Sequence, residues 1–149
     1  MPSFAEHINA KRIVFLESTT KKAALQEMVN ALANDGVLQD PAWFLQAIYE
    51  REELMPTALG IGIAVPHAKV PRGQSFGLAL GLHTEGIEFG ALDGQPVQVI
   101  VMIAQPVNET ERYLRFLAQI ATFLKNPGNF NAILGAPDEQ AVVDIVRNA

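Results

Sequence analysis

Cysteine is absent from all 149 residues. Disulfides, thiolate metal sites and cysteine nucleophiles are therefore excluded. Positive charge is scarce. Eleven Lys and Arg stand against 16 Asp and Glu, a net charge of −5, so the chain lacks the basic stripe that a nucleic-acid surface needs. No apolar run approaches the ~18 residues that would suggest a membrane-spanning helix. The first residues, Met1-Pro-Ser-Phe-Ala-Glu-His7, show no basic region followed by an apolar run, and are not read as a signal peptide. A cytoplasmic protein without direct membrane insertion is the expectation. Several catalytic signatures are also missing. There is no Gly-x-Ser-x-Gly elbow and no Gly-Lys-Thr/Ser of a Walker loop, and the glycines at 60 and 62 lack the third glycine of a dinucleotide fingerprint.

What is present is a globular composition, 49% hydrophobic and 18% charged, in a length that suggests one domain spanning 1–149. Ile13-Val14-Phe15-Leu16 reads as a first strand. A helix follows over Lys21–Asn34, behind N-cap candidates at Glu17–Thr20. Its stripe of Leu25, Met28, Val29 and Leu32 has helical spacing, and Asp35-Gly36 stops it. Asp40-Pro41 starts a second helix that runs to about Glu53, with Phe44, Ala47 and Ile48 inward. Gly60–Val65 reads as a strand in which Ile61, Ile63 and Val65 alternate with Gly62 and Ala64. Pro66 should end its ladder and leave His67 as the first side chain free of the sheet.

From Phe76 to His83 strict alternation separates Phe76, Leu78, Leu80 and Leu82 from Gly77, Ala79, Gly81 and His83. The small face would let a helix pack closely. Gly86–Gly90 is read as a short edge strand and Leu92–Pro96 as a turn. Val97–Ala104 is nearly all apolar, as expected of a central strand buried on both faces. The longest helix, capped by Asn108 or Thr110, runs to about Lys125 with Tyr113, Leu114, Leu117, Ile120, Ala121 and Leu124 inward. A short helix ends at Gly135 and a last one starts at Pro137, with Ala141, Val142, Ile145 and Val146 inward. Interleaved strands and helices give an α/β class, a mixed sheet with helices on both faces.

Three histidines are candidates for chemistry. His7 is expected to be exposed and His83 structural or at the surface, which leaves His67. Metal ligation at His67 is disfavoured because no His or carboxylate lies within four residues of it. A nucleophilic imidazole survives this elimination. It is a good phosphoryl acceptor whose N–P product stays reactive, provided that a guanidinium and hydroxyl or backbone donors surround the phosphate. Arg51 and Thr57 lie a short connection upstream. Arg51 falls on the inner stripe of its helix, where it either reaches solvent, pairs with an acid such as Glu50 or Glu53, or lines an anion site.

Arg51-Glu52-x-x-x-x-Thr57-x-x-Gly60-x-Gly62-Ile63-Ala64-Val65-Pro66-His67-Ala68-Lys69 closely resembles the active-site signature of enzyme IIA of the sugar phosphotransferase system, fructose/mannitol class, whose fold nitrogen-regulatory enzymes IIA share. The Leu92–Val97 turn, the Ala104-Gln-Pro106 strand end and Leu114-x-x-Leu117-Ala118 extend the likeness over roughly residues 13–147. The resemblance implies a mixed sheet flanked by helices and no metal or cofactor. It implies that His67 takes phosphate from the phosphocarrier HPr and passes it to a cysteine of an enzyme IIB domain. Arg51 would hold the phosphate and Thr57 would orient the site. A nitrogen-regulatory role, in which phosphorylation switches a protein contact, is the alternative. Two departures stand out. Tyr113 occupies the position where relatives commonly carry a second active-site histidine, and Ile61 stands where a polar residue is frequent. Arg112 could supply the charge that Tyr113 lacks in place of that histidine, although helix phase sets it about 100° from Tyr113.

Overall fold

The computed structural model describes residues 3–149. After two 3₁₀ turns, Ser3–His7 and Ala10–Arg12, the chain runs through β1 (Ile13–Phe15), α1 (Lys21–Asn34), α2 (Pro41–Leu54), β2 (Ala58–Gly60), β3 (Ile63–Ala64), β4 (His67–Val70), β5 (Gly77–Ile87), β6 (Val97–Pro106), α3 (Thr110–Lys125), α4 (Pro127–Leu134) and α5 (Glu139–Arg147). The strand order is β1-β5-β6-β3-β2, with β4 also paired to β6. The sheet is mixed, as expected. β1 runs parallel to β5, β6 runs parallel to β3 and β4, and the β5–β6 and β2–β3 pairs are antiparallel.

β6 is apolar on both faces because both are covered. Ile100, Met102 and Ala104 pack under α1 and α2, while Val99, Val101 and Ile103 pack under α3, α4 and α5. The alternation of β5 sorts the same way. Leu78, Leu80 and Leu82 lie on the α3 side, and Ala79 lies on the α1 side. The small residues there let α1 approach closely. A Cβ built on Gly81 would fall 2.5 Å from the sulfur of the fully buried Met28. Gly81→Val is therefore expected to lower the unfolding free energy by about 1–3 kcal/mol through overpacking, read as a lower denaturant midpoint at unchanged slope.

The helix starts follow local chemistry. Thr20, Asp40, Asn126 and Asp138 each accept a first-turn backbone N–H, and Pro occupies the first turn of α2 and α4. Four expectations are corrected. Neither Asn108 nor Thr110 caps α3: the cap position is Glu109, without a side-chain cap bond. Leu114 is exposed, and the inner stripe of α3 uses Phe116 and Phe123 with Tyr113, Ile120 and Leu124. Residues 86–90 form no separate edge strand, because β5 continues through a register shift to Ile87, opposite Val97. The last helix begins at Glu139 rather than Pro137.

The stretch from 60 to 67 departs most from expectation. It is no single strand. Gly60, Ile61 and Gly62 all have positive φ (85°, 53° and 83°) and form the tip of the β2–β3 hairpin. Only the glycines adopt such a backbone freely, so Ile61 is strained there. Asp93 holds the tip by accepting the Ile61 N–H at 2.8 Å. That bond also keeps its carboxyl below the usual range, helped by a second from the Gln95 N–H. Pro66 does not free His67 from the sheet either. The Pro66 carbonyl accepts the Ile103 N–H, and pairing with β6 restarts at His67, opposite Ile103. β3 and β4 therefore behave as one interrupted strand alongside β6.

Candidate active site

β4 pairs only with β6, and its free edge opens into a cleft of about 510 Å³ between α2 and α3. His67, Ala68 and Lys69 from β4 line it, with Trp43, Ala47 and Arg51 from α2, Gln105 from β6, and Thr110, Tyr113 and Leu114 from α3. Ala68 and Val70 point into the core under α1 and α2, which turns His67 and Lys69 to the opposite face, towards α3. The His67 and Tyr113 rings stand 5.4 Å apart at 42°.

The His67 imidazole is fixed by one hydrogen bond, 2.9 Å from Nδ1 to the Val65 carbonyl. A carbonyl only accepts, so Nδ1 carries the proton and Nε2 keeps its lone pair. The backbone thus selects the tautomer suited to attack from Nε2. The Val65 N–H is in turn held by the Thr57 carbonyl at 3.0 Å.

Arg51 neither pairs with Glu50 or Glu53 nor escapes the site. Its guanidinium donates to the Met55 carbonyl at 2.8 Å and lines the cleft, with no acid in salt-bridge range among the described residues. Tyr113 is buried, and its hydroxyl pKa is raised by that burial, with the Arg51 charge opposing in part. It stays a neutral donor across the neutral range.

Thr57 is the sequence candidate that does not reach the cleft. Its hydroxyl donates to Glu52 Oε2 at 2.6 Å and its N–H to Oε1, while Lys21 Nζ lies 3.0 Å from Oε1. This buried clasp closes the loop after α2, and Thr57 is linked to His67 only through the backbone of Val65. In the sequence Glu52 stands out only as a residue of the signature beside Arg51, and nothing local marks it as the partner of Thr57.

Other histidines are already engaged. His7 is half-buried rather than exposed. Its Nε2 accepts from Arg112 at 3.1 Å and its ring lies against Phe76 and Phe116. Burial, then the Arg112 charge, lowers its pKa. Arg112 is thereby directed away from the cleft, as its helix phase implied. His83 is structural, its Nδ1 accepting the Gly86 N–H at 3.0 Å. Among the described residues no group of three or more His, Cys, Asp or Glu could hold a metal, and no helix is long and apolar enough to cross a membrane.

Residues 6–149 match the family described as phosphoenolpyruvate-dependent sugar phosphotransferase system, EIIA 2. The chain belongs to this family. Among EIIA 2 relatives, a PTS system fructose-specific EIIABC component from Bacillus subtilis is 34% identical over 132 residues, covering 89% of this chain but 21% of that protein. A nitrogen regulatory protein from Bradyrhizobium diazoefficiens is 33% identical over 132 residues, covering 88% and 85%. The crystal structure of nitrogen regulatory protein IIA-Ntr from Neisseria meningitidis superposes with a TM-score of 0.86 at 26% identity, over 97% of this chain and 99% of that one. The fold is also that of the IIA chain in a complex of enzyme IIAMTL and phosphorylated enzyme IIBMTL from Escherichia coli (TM-score 0.77, 22% identity, 95% and 98% covered). Membership of the EIIA 2 family supports a phosphoryl-carrier, transferase role.

Proposed function

We propose that this single EIIA domain carries a phosphoryl group on His67 Nε2, taking it from an HPr-like phosphocarrier and passing it to the cysteine of an enzyme IIB domain in the cytoplasm. The observation that carries the reading is the Nδ1–Val65 bond, which leaves the Nε2 lone pair free on a side chain that shares its cleft with Arg51 and Tyr113. In the first step a bond forms from Nε2 to phosphorus as the donor's N–P bond breaks, and the donor imidazole recovers its electron pair. In the second step a cysteine thiolate takes phosphorus and Nε2 recovers its pair. The transferring group is metaphosphate-like and needs positioning and charge neutralisation more than covalent help. Arg51 supplies the cation, the Tyr113 hydroxyl a neutral donor, and Thr57 holds the backbone that fixes the ring. No metal or cofactor is required.

With phosphoenolpyruvate, enzyme I and HPr, the protein is expected to gain one acid-labile phosphate. An unlabelled protein beside fully charged HPr would overturn the reading. Tyr113 makes a further prediction about pH. Its hydroxyl does not ionise near neutrality, whereas a histidine there titrates near 6.5. The labelling rate of Tyr113→His divided by that of wild type is expected to rise as pH falls from about 8 to 6, because only the variant gains a cation. A flat ratio would separate Tyr113 from the phosphate. The likeness to nitrogen regulatory proteins over most of their length favours a second reading, in which the phosphorylation state of His67 switches a protein contact. Pull-downs with wild type and His67→Asp address it, and equal capture by both counts against switching.

A further inference from the structure

We infer that Gln105 is a phosphoryl-binding residue of this cleft, its side-chain amide donating from Nε2 to an oxygen of the phosphate on His67, an inference that rests on the phosphocarrier reading. Gln105 is only 3% exposed, one of three polar or charged residues in the buried set of the described chain, with Glu52 and Thr57. Glu52 and Thr57 satisfy each other. The Gln105 side chain has no hydrogen-bond partner among the described residues, although no fully enclosed side-chain nitrogen or oxygen there is left unpaired. Its amide therefore keeps some solvent contact, and Gln105 lines the cleft.

Strand register says which wall it occupies. Gln105 is opposite Lys69 and two residues beyond Ile103, the partner of His67. Ile103 faces the α3 side of the sheet, so Gln105 does too, on the face that bears His67 and Lys69. An amide on a nearly buried side chain, without a protein partner, is commonly met by water or a ligand. A phosphoryl group presents only acceptors, and the Gln105 Nε2 carries two donors. With Arg51 and the Tyr113 hydroxyl, it gives the phosphate donors from three elements, α2, α3 and β6. A core role explains the burial of Gln105 but leaves its amide unpaired.

The test compares Gln105→Leu, Gln105→Glu and wild type for the rate of labelling by phosphorylated HPr. Losing one hydrogen bond to a charged group predicts that Leu slows labelling by about 10- to 100-fold. Glu, of the same shape but only an acceptor when ionised, is expected to be slower still. Wild-type protein is also followed by ¹⁵N NMR, where the Gln105 side-chain NH₂ signals are expected to move downfield in proton on phosphorylation. This arm needs no variant and holds if a substitution fails to fold. Chemical phosphorylation of His67 with phosphoramidate separates the two readings. If HPr fails to label wild type but phosphoramidate succeeds, the HPr donor reading is wrong, and the NH₂ shift still decides Gln105. Wild-type rates in both variants, or NH₂ signals unmoved in the phosphorylated protein, would overturn the inference.

Discussion

His67→Ala is expected to abolish phosphate uptake completely, with the protein still folded. No other imidazole can stand in. Nε2 of His7 is occupied by Arg112, and Nδ1 of His83 by the Gly86 amide. Neither residue lines the cleft between α2 and α3. The structural cost is small, because the half-buried His67 ring makes one hydrogen bond, to Val65, worth about 1 kcal/mol. Labelling by phosphorylated HPr should fall to background while the melting temperature moves by a few degrees at most. Label retained in the variant would place the acceptor elsewhere.

Arg51→Ala is expected to slow phosphoryl uptake by about 10²- to 10³-fold, the usual effect of removing a preorganised donor from a transferring group. The guanidinium is available for this because, among the described residues, its one hydrogen bond is to the Met55 carbonyl and no acid pairs with it. That bond also sets its direction, since Met55 ends α2 one turn beyond Arg51. Arg51→Lys should recover only part of the rate, as an ammonium keeps the charge without the planar fork. Initial rates for the three proteins check this. Equal rates for wild type and Arg51→Ala would show that the phosphate lies away from α2.

The legible parts of the fold were those encoded by neighbours in sequence. Lys21–Asn34 and its Thr20 cap, and the Asp40-Pro41 start, follow from side chains that bond the next turn. β6 is legible as a run that is apolar but for Gln98, and the close approach of α1 from the small residues of β5. What local pattern could not reveal depends on distant contacts. Pro66 lacks an N–H, but its carbonyl still pairs with β6, so the ladder pauses and restarts at His67. Ile61 reads as a strand residue until Asp93, far along the chain, pins it into a turn. The apolar stripe of α3 is wide enough to allow two phases. The packing of Phe116 against Phe76, at 5.0 Å between ring centres, accompanies the phase that exposes Leu114.

The candidate site was legible in the same uneven way. Residue type and spacing point to His67 and Arg51, the family resemblance points to Tyr113, and all three line one cleft. The sequence offers the Thr57 hydroxyl to the phosphate, but that hydroxyl donates to Glu52, and Thr57 is linked to His67 only through the Val65 backbone. Gln105 sits at the end of an apolar strand, where a glutamine reads as the place at which the core gives out. What marks it is a nearly buried side chain on the cleft wall with no hydrogen-bond partner among the described residues.

The proposed role of His67 depends on the backbone holding its proton on Nδ1 and leaving Nε2 as the acceptor. The most direct test is ¹⁵N–³¹P NMR of imidazole-labelled protein charged by HPr. Phosphorus is expected to couple to Nε2 of His67, with the proton on Nδ1 before and after charging. Phosphorus on Nδ1, or on any residue other than His67, would contradict it.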